Sequence, residues 1–207
     1  MKIFLFGATG TTGLKLTEQA LSAGHQVTVY VRNPEKLGAL KDKVKIIQGE
    51  LTDEQKILES MSGQEAIIMA LGYRTFKDSS QFLSKTAATV VKGMQQHGIS
   101  KLVYLSAYGI GGKDSVTNSF LRFVLKSFGL IKPFKDHFIS EKIIRQSNLD
   151  WTLARPGRLT DDKALGTYRA EVGLKGFFRI SRADVANFML DAVSNPKWSK
   201  KAVDLGY

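Results

Sequence analysis

Short apolar runs alternate with segments of helical periodicity along the whole chain. Continuous apolar runs are typical of strands covered on both faces, whereas apolar residues spaced three and four positions apart are typical of helices that pack on a sheet. The pattern predicts strands over residues 2–6, 26–31, 44–48, 66–71, 101–106 and 150–155. It predicts helices over 14–23, 34–40, 80–97 and 136–147, with two more that end at 61 and begin at 181. This alternation predicts one α/β domain over residues 1–207, with a mostly parallel, doubly wound sheet and helices on both faces.

The C-terminal half of the chain is less regular than the N-terminal half. The sequence predicts irregular chain over residues 158–180, with short β segments near 168–172 and 177–180, and an added edge strand over residues 202–205. Residues 118–130 combine apolar and basic side chains, which favours an amphipathic helix packed on the core. A lid over a substrate, a dimer surface and a membrane-surface helix remain open for this segment. We expect residues 107–207 to supply the loops on the substrate side.

Polar residues mark where two of these helices begin. Thr52, followed three positions later by Gln55, predicts the N-cap of the helix that ends at 61. Asp53 has two interpretations: a role in starting the same helix, which is favoured, and a contact with the edge of a bound adenine. Ser181 predicts the N-cap of the last helix, and Asp184 in its first turn complements the helix dipole.

Composition narrows the classes of function without selecting one. The chain has no cysteine, which excludes disulfides, thiolate metal sites and cysteine nucleophiles. Its formal net charge is +11, but the basic residues are scattered and form no run of five or six. A solvated basic surface is therefore favoured, and nucleic acid is not expected as a partner. Attraction of an anionic small ligand is compatible with such a surface. The apolar run after Lys2 is too short for a signal peptide or a membrane span, so we expect a cytoplasmic protein.

The most informative segment is Gly7-Ala8-Thr9-Gly10-Thr11-Thr12-Gly13, between the first strand and the first helix. A glycine-rich turn lets the backbone approach a diphosphate closely, and the helix N terminus supplies free N–H groups and partial positive charge. The three threonine hydroxyls add hydrogen-bond donors. The spacing is G-x-x-G-x-x-G rather than G-x-G-x-x-G. A tight turn that closes the strand–helix unit without a ligand is the alternative interpretation.

The end of the second strand carries Arg32 and no acidic residue. In dinucleotide-binding folds an acid at this position binds the ribose hydroxyls of NAD, whereas an arginine accommodates the 2′-phosphate of NADP. A guanidinium also bonds phosphate bidentately. Arg32 therefore favours NADP(H), with a solvent-facing arginine as the alternative.

Two other strand ends should lie beside the same ligand, because ligands in such sheets bind outside the carboxyl ends of the strands. The run 66–71 ends at Leu71-Gly72, and the run 101–106 delivers Ser106, Ala107 and Tyr108 to the same edge. The glycines that follow allow a loose, substrate-facing loop. No cluster with the spacing of metal ligands stands out.

Together these segments resemble the atypical short-chain dehydrogenase/reductases of the NmrA-like and flavin reductase/biliverdin-IXβ reductase type. The matching segments extend over most of the chain and are more specific for the family than for a substrate. They are Gly7 to Gly13, Val31-Arg32-Asn33-Pro34, Gly49-Glu50-Leu51-Thr52-Asp53, Leu71-Gly72, Ser106-Ala107, Asp136-His137 with Lys142, Ser147 to Thr152, Arg155-Pro156-Gly157 and Ser181 to Ala186.

The resemblance implies a Rossmann fold that binds NADP(H). It places the diphosphate against Gly7, Thr9, Gly10, Thr11 and Thr12. It places the 2′-phosphate at Arg32, the adenosine along Leu51, Ala70, Leu71 and Gly72, and the nicotinamide ribose near Ser106 and Pro156.

The chain departs from typical short-chain dehydrogenases where these use a Tyr-x-x-x-Lys pair for proton transfer. The corresponding region reads His137-Phe138-Ile139-Ser140-Glu141-Lys142, so alcohol dehydrogenation by such a pair is not expected. His137 is a candidate general acid, because an imidazole titrates near neutral pH, although a structural or solvent-facing histidine is the favoured alternative. Ser106 and His137 are thus the candidate catalytic residues.

Reduction of a flat conjugated acceptor needs little beyond hydride transfer from a well-placed dinucleotide. We therefore expect an NADPH-dependent oxidoreductase acting on a flavin, quinone or tetrapyrrole-like acceptor, with Tyr108, Phe120 or Phe123 as a stacking surface. A non-catalytic regulator that senses NADP(H) is the second hypothesis, and nucleic-acid binding is the least favoured. We expect a monomer or a homodimer.

Overall fold

The computed structural model describes residues 1–73, 81–110, 131–176 and 178–207. The strands of this part are β1 Lys2–Phe6, β2 Gln26–Val31, β3 Lys45–Gln48, β4 Ala66–Met69, β5 Lys101–Leu105, β6 Asp150–Pro156, β7 Arg158–Thr160, β8 Arg169–Glu171, β9 Arg179–Ser181 and β10 Lys201–Gly206. Its helices are α1 Thr11–Ser22, α2 Glu54–Ser60, α3 Phe82–Gln96, α4 Ile131–Gln146 and α5 Arg182–Ser194, with 3₁₀ segments at Pro34–Lys43 and Pro196–Trp198. Residues 118–130, and with them Phe120 and Phe123, lie outside the described residues.

One eight-stranded sheet organises the molecule, with the order β3-β2-β1-β4-β5-β6-β10-β8. All neighbours in it are parallel except β10 and β8. The chain runs outward from β1 to β3 and then returns to the other side of β1 with β4. The carboxyl ends of β1 and β4 therefore flank the point where the strand order reverses, which is where doubly wound folds bind ligands. The predicted doubly wound α/β fold is confirmed.

Apolar layers cover both faces of this sheet. Helices α1 and α5 supply Leu16 and Phe188 to the layer on one face, and α2, α3 and α4 supply side chains to the layer on the other. In β4, Ala66 and Ile68 point into the first layer, while Ile67 and Met69 point into the second. Successive side chains of a strand point to opposite faces, so this strand is apolar at every position. No helix in the described part is both long and apolar enough to cross a bilayer.

The helix caps confirm one prediction and correct another. Ser181 is the N-cap of α5, and its Oγ accepts a hydrogen bond from the Asp184 N–H at 3.0 Å. The N-cap of α2 is Asp53, whose carboxylate accepts from the Lys56 N–H at 3.0 Å. The prediction of Thr52 as this cap was wrong by one residue, whereas the favoured helix-start role of Asp53 is confirmed. A carboxylate at this position also complements the helix dipole more strongly than a hydroxyl does.

The C-terminal strands differ most from the sequence expectation. The strand predicted as an edge, β10, lies inside the sheet, because β8 pairs antiparallel along its outer side. Strand β7 falls in a segment predicted to be irregular, and it pairs in parallel with β9 to form a separate two-stranded sheet. Helix α4 begins at Ile131, five residues before the predicted start, since Pro133 is tolerated in a first turn.

Candidate functional site

Two of the three glycines in the segment that joins β1 to the first turn of α1 are required by packing. Gly7 has a φ of +84°, and a side chain there would collide with the backbone carbonyl of Ala70 at the end of β4. A side chain at Gly13 would collide with the carbonyl of Gly7. These residues let the turn pass close to β4 and let α1 sit directly on the turn, so they need no ligand to explain them.

Gly10 differs from the other two glycines of the turn. Its φ of −79° suits any residue, and a Cβ there would meet only the Gly7 carbonyl oxygen, at 3.3 Å. Gly10 is the N-cap of α1 and supplies no side-chain cap, whereas Asp53 caps α2 and Ser181 caps α5. The first N–H groups of a helix have no acceptor within the helix. The N terminus of α1 is therefore left open to bind an anion.

A cavity of about 480 Å³ begins at this helix terminus. Its size lies within the range of small-molecule sites. Eight predicted cofactor residues line it, namely Gly7, Thr9, Gly10, Arg32, Leu51, Ala70, Leu71 and Gly72. Thr11 and Thr12 form the first turn of α1, and Thr12 is buried. Ser106 and Pro156 lie at the carboxyl ends of β5 and β6, outside this cavity lining.

The far end of the cavity is charged. Arg32 and Lys36 both line it, and the exposed Arg32 guanidinium lies 4.0 Å from the Glu50 carboxylate. Asn33, which follows Arg32, caps the 3₁₀ segment by accepting from the Glu35 N–H at 3.0 Å. The backbone beside Arg32 is thus fixed, and its exposed side chain lines the cavity. Sequence reasoning found no acid here, because Glu50 comes from the chain after β3 rather than after β2.

Ser106 belongs to a buried ionic cluster. Its Oγ donates to the Glu141 carboxylate at 2.6 Å, and Glu141 is only 2% exposed. The Arg155 guanidinium binds both oxygens of the same carboxylate, with its Nε at 2.8 Å from Oε1, and Arg145 lies 3.7 Å away. The hydroxyl proton of Ser106 is committed to Glu141, so the Ser106 oxygen can only accept a hydrogen bond from any further group.

His137 shares a hydrogen bond of 2.8 Å with the buried Tyr104 hydroxyl through its Nδ1. Burial lowers the pKa of His137 to about 4, outweighing the opposite effect of Asp136 and Glu141. Burial also raises the pKa of Tyr104. Both groups are therefore neutral at pH 7. This geometry argues against imidazolium general acid catalysis by His137 and favours the structural alternative.

Asp136, next to His137, ties three segments together. Its carboxylate accepts from the N–H groups of Leu83 and Ser84 at 2.9 and 3.0 Å, and from the Tyr73 hydroxyl at 2.5 Å. A residue of α4 thus caps the N terminus of α3, and the chain that leaves β4 is held against both helices. The residue preceding α3, Gln81, has a φ of +53° and gives no side-chain cap of its own.

Comparison with known proteins settles the family. A family model described as NAD(P)H-binding matches residues 7–196. This chain belongs to the NAD(P)H-binding family. An uncharacterised chloroplastic protein of Arabidopsis thaliana is 31% identical to it, over 99% of this chain and 76% of its own length.

Solved structures of other proteins share the fold. ChuY, an anaerobillin reductase of Escherichia coli O157:H7, superposes with a TM-score of 0.83 at 20% identity, covering 99% of this chain and 96% of its own. A short-chain dehydrogenase/reductase of Veillonella parvula, solved in complex with NADP, superposes with a TM-score of 0.81 at 19% identity, covering 100% and 94%. The family model confirms the predicted NAD(P)-binding relationship, whereas an oxidoreductase activity stays a prediction. A cytoplasmic location stays a prediction.

The residues of this NAD(P)H-binding chain fit a dinucleotide on their own chemistry. The open N terminus of α1 suits a diphosphate, the cationic end suits a further phosphate, and Leu51 and Leu71 form apolar walls between them. Within the described residues no group of three or more His, Cys, Asp or Glu side chains is placed to hold a metal ion.

Sequence reasoning missed Glu141 and Lys36 as members of the site. Glu141 lies one helical turn after His137, so both lie on one face of α4, and that spacing was the available signal. Its partner Ser106 is 35 positions away, and only the fold brings the two together.

Proposed function

We propose that this chain is an NADPH-dependent oxidoreductase that delivers a hydride to a flat conjugated acceptor, such as a flavin, a quinone or a tetrapyrrole-like molecule. The observation that carries the proposal is the open N terminus of α1, which shares one cavity with Arg32 and Lys36. In this proposal Gly7, Thr9, Gly10, Thr11 and Thr12 bind the diphosphate, and Arg32 binds the 2′-phosphate. Leu51, Ala70, Leu71 and Gly72 contact the adenosine, and Ser106 and Pro156 border the nicotinamide ribose.

The buried groups near Ser106 support the choice of a conjugated acceptor. The bound dinucleotide supplies the hydride from its reduced nicotinamide ring. Neither candidate acid has a proton to give at pH 7: Ser106 donates its proton to Glu141, and His137 is neutral. An acceptor that spreads the transferred electron pair over its ring system can take its proton from water. A simple carbonyl would instead need a protein acid to protonate the alkoxide.

A comparison of NADPH with NADH tests the cofactor assignment. Replacing Arg32→Ala removes charged hydrogen bonds worth roughly 1.5–3 kcal/mol, so NADPH binding should weaken about 10- to 150-fold. NADH binding, measured by the same calorimetry, should change little. Lys56→Ala removes an equal charge from exposed α2 and is the matched control. Equal losses for NADPH and NADH would show that Arg32 does not select the cofactor.

A panel of acceptors tests the reaction. Protein and NADPH are mixed with flavins, quinones and linear tetrapyrroles, and absorbance at the nicotinamide band is followed. We expect acceptor-dependent loss of NADPH with at least one class. No loss across the panel would contradict turnover.

The same two neutral groups leave sensing without turnover as a second candidate. A regulator of the NmrA-like type would bind NADP(H) tightly and would not oxidise NADPH with any acceptor. A protein partner recovered with only one redox form of the nucleotide would favour it.

We also propose that the chain acts as one domain, since β1 and β10, near its two ends, belong to one sheet. Its partners in the proposed reaction are small molecules, and nucleic acid has no part in it. A monomer or a homodimer in the cytoplasm remains our expectation.

A further inference from the structure

Two arginines face the same way on the small sheet beyond β6. Arg158 of β7 and Arg179 of β9 are register partners in a parallel pair, so their side chains project from the same face. Both residues are exposed. Like charges on directly paired positions repel, so this arrangement is unfavourable for the fold by itself.

The described arginines otherwise have acidic partners. Five of the seven lie within 4.0 Å of a carboxylate, and these pairs are Arg32–Glu50, Arg145–Glu141, Arg155–Glu141, Arg169–Glu171 and Arg182–Asp161. Arg158 and Arg179 are the two that have none among the described residues. The pair therefore concentrates positive charge that nothing in this part of the chain neutralises.

Arg158 lies beside the substrate side of the proposed site. Its backbone N–H donates to the Phe178 carbonyl at 2.9 Å, and the Phe178 ring packs edge-on against Tyr108 with centroids 5.4 Å apart. The Tyr108 N–H in turn donates to the carbonyl of Pro156 at 2.9 Å. Tyr108 is two residues beyond Ser106, and Arg158 is two residues beyond Pro156, so the arginine pair borders the carboxyl ends of β5 and β6.

We propose that Arg158 and Arg179 bind an anionic substituent, a phosphate or a carboxylate, on the conjugated acceptor. The inference rests on the proposed function, because it places the acceptor beside Ser106 and Pro156. Two adjacent guanidiniums offer bidentate hydrogen bonds to such a group, and its charge relieves their repulsion. The preferred acceptor is therefore an anionic conjugated molecule rather than a neutral one.

Matched ligand pairs test this assignment by equilibrium binding, without requiring turnover. Flavin mononucleotide and riboflavin share one ring system and differ by the phosphate; anthraquinone-2-carboxylate and its carboxamide differ by the carboxylate. With NADP⁺ bound, at least one anionic member should bind about tenfold more tightly than its neutral partner, since charged hydrogen bonds are worth at least that much. Its advantage should shrink as salt rises, and inorganic phosphate should compete with it.

The variant Arg158→Gln with Arg179→Gln should abolish that preference. Neutral ligands and NADPH should bind within about twofold of wild type, and Tm should hold or rise because the like charges are gone. The variant Lys56→Gln with Lys92→Gln removes the same charge from exposed positions of α2 and α3 and should keep the preference.

Equal binding within both ligand pairs, or absence of binding by both anions, overturns the proposal. Equal loss of the anionic and neutral members in the arginine variant also overturns it. An anion preference that the variant removes, with no NADPH oxidation by any acceptor, would retain the anion site and reject the reductase. NADPH oxidation by an acceptor, without an anion preference in binding, would retain the reductase and reject the anion site.

Discussion

Gly7, Gly10 and Gly13 belong to one glycine-rich segment but act through different contacts. Gly7 and Gly13 must be glycine because nearby backbone carbonyls leave no room for a side chain. Gly10 has an ordinary φ and only one close neighbour, and it lines the cavity. Its missing side chain is thus explained better by a ligand than by the fold.

Alanine substitutions should separate these two roles. Gly10→Ala should change the free energy of unfolding by less than about 1 kcal/mol, because an alanine adopts this φ freely. It should weaken NADPH binding at least about tenfold, because the methyl group would occupy the proposed diphosphate site. Gly13→Ala should cost about 1–3 kcal/mol of stability or more, because its methyl group overlaps the Gly7 carbonyl. Urea unfolding and calorimetry measure both quantities, and a large stability loss in Gly10→Ala would contradict the ligand-based account.

His137 predicts a specific dependence of stability on pH. Its pKa is about 4 in the folded chain, against 6.5 for an unperturbed histidine. Below pH 6.5 the unfolded chain therefore binds a proton that the folded chain does not, and stability falls as pH falls towards 4. This residue should account for up to about 3 kcal/mol of that loss. Urea unfolding at pH 7, 6 and 5 should show a shallower decline in the free energy of unfolding for His137→Gln than for wild type. Parallel curves for the two proteins would show that His137 titrates normally.

Helix α3 depends on a cap that another helix supplies. Asp136 of α4 is 1% exposed and accepts from two N–H groups at the start of α3, as well as from Tyr73. Since Gln81 provides no cap, the α3 terminus is stable only while α4 stays docked. The strand end at Leu71-Gly72 is held by the same contact, through Tyr73.

Replacing Asp136→Asn should destabilise the fold because an amide has one acceptor oxygen where the carboxylate has two. Losing part of this buried network should cost roughly 1–3 kcal/mol and lower Tm by roughly 2–10 °C. Asp53→Asn is the matched control, because Asp53 is an exposed N-cap and asparagine caps as well as aspartate. Calorimetric scans that give equal Tm values for the two variants would rule out the capping role.

Local pattern and long-range pairing explain which elements could be predicted. Strands such as β4 are apolar at every position, so their signal survives without knowledge of their neighbours. Strand β7 has only three residues, of which Leu159 alone is apolar, and it exists because β9 pairs with it. The glycine-rich turn after β1 could be predicted for the same reason as β4, because its residues are contiguous. The contacts of Glu50, Glu141 and Asp136 could not be predicted, since each meets a partner at least 18 positions away.

The position of β10 makes the last strand part of the central structure of the molecule. It bonds β6 on one side and β8 on the other, and Val203 and Leu205 are fully buried. The Asp204 carboxylate also accepts from the N–H groups of Gly173 and Leu174 at 3.0 Å, which anchors the loop after β8. The same sheet therefore joins the proposed cofactor half to the segments that carry Arg158 and Arg179.

Hydrogen exchange should distinguish this arrangement from a true edge strand. Amides of an interior strand exchange only when the whole domain unfolds, so those of β10 paired to β6 and to β8 should both report the global free energy of unfolding. An edge strand would leave alternate amides open to solvent, and these would exchange quickly. Strand β3, whose only sheet neighbour within the described residues is β2, provides the internal comparison and should exchange faster than β10. Fast exchange of the β10 amides that pair with β8, between Asp204 and Gly206, would restore the edge-strand prediction and detach β8 from the sheet.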